Sequence, residues 1–129
     1  MPGKNQAPVR ALVVDDLPDS SESLARMLQL MGCAATYVTR ATKAMDAAEA
    51  LEAEIVFLDI GMPEIDGYEL ARSFRKRYGD AIRLVAVTGY GGEDHHKRSR
   101  EAGFDAHVTK PIDLAIVESM LRTILSSRR

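Results

Sequence analysis

Three short apolar runs, Ala11-Leu12-Val13-Val14, Ile55-Val56-Phe57-Leu58 and Leu84-Val85-Ala86-Val87, limit this chain's fold more than any other feature. None alternates apolar with polar residues, so none suits a strand with one wet face; each suits a strand covered on both sides, as in a parallel sheet. Weaker strand candidates are Ala35 to Val38 and Ala106 to Val108. Between the runs the period changes. Leu24, Met27, Leu28 and Met31 recur at helical steps, as do Val117, Met120, Leu121, Ile124 and Leu125. Asp19 stands three residues before Glu22 and Asp66 three before Glu69, each a capping-box variant that starts a helix, and Gly32, Gly79 and Gly103 mark stops. Alternating strands and helices require right-handed crossovers, so the expected fold is α/β: a doubly wound, five-stranded parallel sheet with helices on both faces.

At 129 residues the chain suits one domain with a core of its own. Residues 1–8, with two prolines and a glycine, read as a flexible leader, residues 9–126 as the folded domain and 127–129 as a tail. No basic stripe interleaves with aromatics, so no nucleic-acid partner is expected. No apolar stretch reaches the roughly 18 residues of a membrane span. The single cysteine, Cys33, excludes an internal disulfide; together with the lack of a signal-like amino terminus it points to the cytoplasm.

Open parallel sheets carry their functional groups beyond the carboxyl ends of the strands. Here Asp15 and Asp16 follow the first run, Asp59 the second and Thr88 the third, while Lys110 follows Ala-His-Val-Thr. Any single Asp at a strand end is by default a cap or a loop acid, but the set calls for chemistry. Three gathered carboxylates repel by about 4 kcal/mol per close pair at an effective dielectric of 20, so a cation belongs among them. With oxygen donors only, that cation is a hard one, Mg²⁺ (or Mn²⁺). A metal, the Lys110 ammonium and the Thr88 hydroxyl are what a phosphoryl group needs around it in transfer, and a carboxylate can be the nucleophile. The product would be an aspartyl phosphate.

These residues resemble the receiver domain of two-component response regulators over almost all of Val9 to Leu125. The motifs are Asp15-Asp16, Asp59 within Leu-Asp-Ile-Gly-Met-Pro-Glu-Ile-Asp-Gly, Thr88 in Val-Thr-Gly, and Lys110-Pro111. The resemblance implies a flavodoxin-like sheet of strand order 2-1-3-4-5. It implies Asp59 as phosphoacceptor, Asp16 as a direct metal ligand, Asp15 as a ligand through water, and the Gly61 carbonyl as a further metal contact. Thr88 and Lys110 would hold the phosphoryl oxygens, and the Lys110–Pro111 bond would be cis. The implied partners are a histidine kinase or histidine phosphotransfer protein, which supplies the phosphoryl group, and a downstream protein that docks on the face made by the fourth helix, fifth strand and last helix. Apart from Mg²⁺-dependent self-phosphorylation and autodephosphorylation, no enzyme activity is implied.

One position departs from the pattern. Receivers usually carry Tyr or Phe three residues before the lysine as the switch partner of the threonine, and here that residue is His107, which is smaller and titratable. The loop Gly89-Tyr90-Gly91-Gly92 is expected to be mobile, and the segment Glu93 to Ala102 has little apolar surface with which to anchor a helix. His95 and His96, adjacent on that helix, do not have the spacing of a metal pair. Two alternatives remain: a phosphatase of the haloacid-dehalogenase kind, whose second Asp would fall at Gly61, and a receiver-like module that is never phosphorylated. Ser126-Ser127-Arg128-Arg129 leaves no room for an output domain, so a stand-alone receiver or one excised from a hybrid kinase is expected, and Gly103 to Pro111 looks more like the hybrid type.

Overall fold

The structure, a computed structural model, describes residues 7–62, 66–89 and 93–127, with the backbone alone at 93–96. Ten elements alternate along the chain: β1 (Arg10–Val14), α1 (Pro18–Leu30), β2 (Ala34–Val38), α2 (Ala44–Leu51), β3 (Ile55–Asp59), α3 (Gly67–Tyr78), β4 (Arg83–Thr88), α4 (Glu93–Ala102), β5 (Ala106–Thr109) and α5 (Leu114–Ser127). Short 3₁₀ turns at Ala41–Lys43 and Gly79–Ala81 lead into α2 and out of α3. All strand pairings are parallel, in the order β2-β1-β3-β4-β5.

The apolar runs are the three central strands, and their burial explains their composition. Leu12, Val14, Val56, Leu58, Leu84 and Ala86 face one core with Ala44, Ala48, Leu70, Ala71 and Phe74 from α2 and α3. Their neighbours Ala11, Val13, Ile55, Phe57, Val85 and Val87 face a second core with Leu24 and Leu28 of α1 and Val117, Leu121 and Ile124 of α5. Side chains alternate across the sheet, so each strand must be apolar at every position to fill both layers. Each buried aliphatic or aromatic side chain contributes about 1.5–3 kcal/mol. β2, at the sheet edge, is mostly exposed or half-buried, which is why its sequence signal is weak.

Helix boundaries follow local chemistry, with one correction. The Asp66 side chain caps α3 as expected, accepting from the Tyr68 N–H at 2.9 Å. Asp19 does not cap α1: the helix starts at Pro18, the cap position is Leu17, and Asp19 lies in the first turn. Proline is pre-set for a first helical position, so Pro18 opens the helix two residues early, and Asp19 instead faces the positive end of the helix dipole. Val9 is buried, and its carbonyl accepts from Ala34 N. α5 runs from Leu114 through Ser127.

The carboxyl ends of α3 and α4 are tied together by Arg75. Its Nε donates to the Gly103 carbonyl at 2.7 Å, its Nη1 to the carbonyls of Gly79 and Ile82, and its Nη2 pairs with Asp105, whose carboxylate also accepts from Leu84 N. Gly103 has φ +104°, and a Cβ there would lie 2.7 Å from Arg75 Cγ. The same network therefore explains both the arginine and the glycine. α2 ends without a glycine: Glu52 takes the left-handed conformation at φ 55°.

Candidate functional site

The β3 strand delivers Asp59 to the carboxyl edge of the sheet, next to the ends of β1 and β4. Parallel pairing sets Val14 beside Leu58 and Asp59 beside Val87, so Asp15 and Thr88, each the next residue along, reach the same edge as Asp59. Asp15 and Asp59 are buried and Asp16 is half-buried; one carboxylate oxygen from each lies within 4.8 Å of the others. Lys110 Nζ stands 3.4 Å from Asp15 Oδ2 and 3.5 Å from Asp59 Oδ2. Its backbone is set by a 2.8 Å bond from Lys110 N to the carbonyl of Thr88, itself a buried residue. The Lys110–Pro111 peptide is cis.

The local backbone holds each acid in place. Asp59 Oδ1 accepts from Gly61 N at 2.8 Å, and Asp15 Oδ1 from Leu17 N at 3.0 Å. A Cβ at Gly61 would come to 3.3 Å of Asp59 Oδ1, and one at Gly67 would meet Ile60 Cα at 2.6 Å. Both glycines thus let the chain after β3 fold tightly against the site. Burial pushes the Asp59 carboxyl above its ordinary range, and the nearby Asp15 adds to the rise. The Gly61 N–H and the Lys110 ammonium oppose it without cancelling it.

The donor set fits a hard divalent cation. Three carboxylates converge against one ammonium, and among the described residues no sulfur or imidazole joins them. Asp15, Asp16, Asp59, Thr88 and Lys110, scattered over the sequence, are thus brought to one cleft. Pro63, Glu64 and Ile65 beside it, and Tyr90, Gly91 and Gly92 of the glycine loop, lie outside the described residues, as do the side chains of His95 and His96.

His107 is half-buried on β5, and its Nδ1 lies 3.3 Å from Ser99 Oγ of α4. Ser99 is a residue the sequence reading passed over. Its signal is its place three residues before Ala102 on an otherwise charged helix: among the described side chains of α4 these two small residues, each 2% exposed, are the buried ones.

The family model of the response regulator receiver domain matches residues 11–122. The chain belongs to that family. It is 34% identical over 103 residues to an uncharacterized 14.6 kDa protein of Leptolyngbya boryana, with 79% of each chain covered. It is 31% identical over 118 residues to response regulator MprA of Mycolicibacterium vanbaalenii, a match that covers 92% of this chain and 51% of MprA. Over 79 residues it is 34% identical to probable histidine kinase 2 of Oryza sativa subsp. indica, spanning 59% of this chain and 8% of that one. The chain therefore spans about half of one of these relatives and a small part of another. Among solved structures, a CheY-like receiver domain of Methylobacillus flagellatus superposes with a TM-score of 0.78 at 30% identity, over 91% of this chain and 98% of that one. A receiver domain from Colwellia psychrerythraea reaches 0.84 at 18% identity over 92% and 99%, a likeness of fold.

Receiver domains are the phosphoacceptor modules of two-component signalling and interact with histidine kinases and downstream targets; this chain is accordingly a signalling domain rather than a classical enzyme. The phosphatase alternative is left without support by the family match and by Gly61 at the position of the second acid.

Proposed function

We propose that Asp59 is the residue that accepts the phosphoryl group, from a phosphohistidine on a histidine kinase or a histidine phosphotransfer protein. The observation that carries this reading is a buried Asp59 carboxylate within 4.8 Å of two further carboxylates and 3.5 Å from Lys110 Nζ. Mg²⁺ or Mn²⁺, held by Asp15, Asp16, Asp59 and the Gly61 carbonyl, would neutralise charge on the transferring group. Gly61 N holds Asp59 Oδ1, which leaves Oδ2 as the attacking oxygen. As the new O–P bond forms, the P–N bond of the donor breaks and its electron pair returns to the imidazole. Lys110, beside Oδ2, offsets the charge of the phosphoryl oxygens, and the Thr88 hydroxyl turns toward them. A carboxylate whose proton affinity is raised by burial is also the better nucleophile once ionised.

On this reading residues 9–126 form the receiver, and Thr88 and His107 act together as the switch. The surface of α4, β5 and α5 then meets the downstream target. Transfer from small phosphodonors and loss of the phosphate to water are the chain's own activities. Among the described residues no helix is long and apolar enough to cross a membrane, which is compatible with a cytoplasmic site of action.

The test is incubation with a small phosphodonor, with and without Mg²⁺, followed by intact-mass measurement. One added phosphate that requires the metal and vanishes in Asp59→Asn is expected. An equal mass shift in the variant would refute the assignment of Asp59. Equal partner affinity before and after modification would refute the switch.

A further inference from the structure

We propose that Gly67 is a positioning residue for transfer to Asp59: by presenting no side chain, it lets the start of α3 close onto Ile60 and so fixes the contact between Gly61 N and Asp59 Oδ1 that aims Oδ2 at phosphorus. The proposal rests on Asp59 being the phosphoacceptor, and its experiment includes one readout that is independent of transfer.

A glycine at this place needs an explanation. Gly67 is the first residue of α3, directly after the Asp66 cap. Glycine is a poor helix former, and Asp66 already supplies the capping group. Backbone conformation does not call for it either: Gly32, Gly79 and Gly103 have positive φ, whereas Gly67 does not. What calls for it is space. A Cβ at Gly67 would stand 2.6 Å from Ile60 Cα and 3.1 Å from both Ile60 Cβ and Cγ2. Carbon atoms in contact settle at about 3.5–4.0 Å, so even an alanine forces a shift of about 1 Å. The obstacle is backbone, so no change of rotamer relieves it.

The shift falls on the strand end rather than on the helix. α3 is held by the buried side chains of Tyr68, Leu70, Ala71 and Phe74. Its first turn is fixed by Asp66, whose side chain accepts from Tyr68 N and whose carbonyl accepts from Leu70 N. Ile60 is half-buried, lies one residue past β3 and donates its N–H to the Val87 carbonyl at 3.1 Å. It is also the residue between Asp59 and Gly61. Its Cα therefore cannot move without turning the Gly61 N–H away from Asp59 Oδ1, which it meets at 2.8 Å. That bond fixes one carboxylate oxygen and leaves the other, 3.5 Å from Lys110 Nζ, for the reaction. About 1 Å of misplacement between reacting atoms costs up to about a hundredfold in rate.

The experiment uses the full chain with acetyl phosphate as donor. Asp59 Oδ2 bonds to phosphorus, the bond from phosphorus to the acetate oxygen breaks, and its electron pair leaves on acetate. Initial rates of mass gain are compared at fixed acetyl phosphate and Mg²⁺, and the Gly61 amide is followed by ¹⁵N–¹H NMR in the unmodified chain. Gly67→Ala is expected to slow transfer by about 10–100-fold. It should also move the Gly61 resonance while those of Leu12 and Val13 on β1 stay in place. Gly103→Ala controls for lost stability, because its Cβ meets Arg75 Cγ at 2.7 Å, at the carboxyl end of α3. It should transfer at the parental rate. Should Gly67→Ala fold poorly, comparing E52G with E52G/G67A gives the same measurement, since Glu52→Gly relieves a left-handed residue before β3, at the opposite edge of the sheet. A parental rate in Gly67→Ala, an equal slowing in Gly103→Ala or an unmoved Gly61 resonance overturns the proposal. A parent that takes up no phosphate strikes the assignment of Asp59, and the Gly61 resonance then still decides whether Gly67 sets the contact.

Discussion

Replacing Asp59 with asparagine is expected to raise the stability of the metal-free chain, although it removes a buried charged group that has a hydrogen bond and an ion pair. At an effective dielectric of 20, Lys110 Nζ at 3.5 Å attracts the Asp59 carboxylate by about 5 kcal/mol, whereas Asp15 and Asp16, each within 4.8 Å, repel it by about 3.5 kcal/mol or more apiece. Repulsion therefore exceeds attraction by about 2 kcal/mol, and the cost of burying the charge adds to it. Asparagine removes these terms and can still accept from Gly61 N. After relaxation a gain of about 1–2 kcal/mol is expected, or roughly 4–8 °C in Tm for a domain of this size.

The pH dependence carries the same signature. Burial first, and then Asp15, raise the Asp59 carboxyl above its ordinary value of 3.8, so the folded state binds that proton more tightly than the unfolded state does. Its favourable effect on folding is complete below pH 3.8 and is lost as pH rises through the elevated native value. The advantage of Asp59→Asn should thus open with rising pH through that window and then level off. Magnesium should reverse the order: at a hundred times its Kd it stabilises the parent by about 2.7 kcal/mol and the variant far less. Thermal unfolding followed by circular dichroism, in EDTA and in magnesium chloride, measures both. A variant less stable than the parent in EDTA, or a parent indifferent to magnesium, would refute the reasoning.

Glu52→Gly should stabilise the chain by about 1 kcal/mol in chemical denaturation, since φ 55° penalises a side chain there and the carbonyl that accepts from Arg10 Nε is kept. Gly103→Ala should cost about 2–3 kcal/mol through backbone strain and the collision with Arg75, and Arg75→Met should cost a similar amount by orphaning the carbonyls of Gly103 and Ile82; midpoints unchanged from the parent would disprove both. Cys33, buried and with its thiol pushed up first by burial and then by Glu54, should react with iodoacetamide much more slowly than free cysteine at pH 8, and at comparable speed only once urea unfolds the chain.

Much of the site is legible in the sequence because its residues stand at fixed offsets from strong strand signals: Asp15, Asp59 and Thr88 lie at the ends of apolar runs that alternation across two cores demands. The α3 cap is equally visible, since Asp66 bonds only two residues away, whereas the α1 start is ambiguous in sequence because Pro18 and Asp19 compete for it. α2, rich in alanine and closed by Glu52 rather than by glycine, left little pattern to read.

The amino-acid order alone determined the three central strands, the periodic helices α1 and α5 and the polar groups that end the strands, because those properties depend on neighbours a few residues apart. Only the tertiary structure decided that Lys110 meets Asp15 across 95 residues, that Arg75 ties the ends of α3 and α4, and that Ser99 faces His107. Such contacts depend on how strands pair and how helices lie against them. Those arrangements come from filling two cores at once, and no local pattern carries that information.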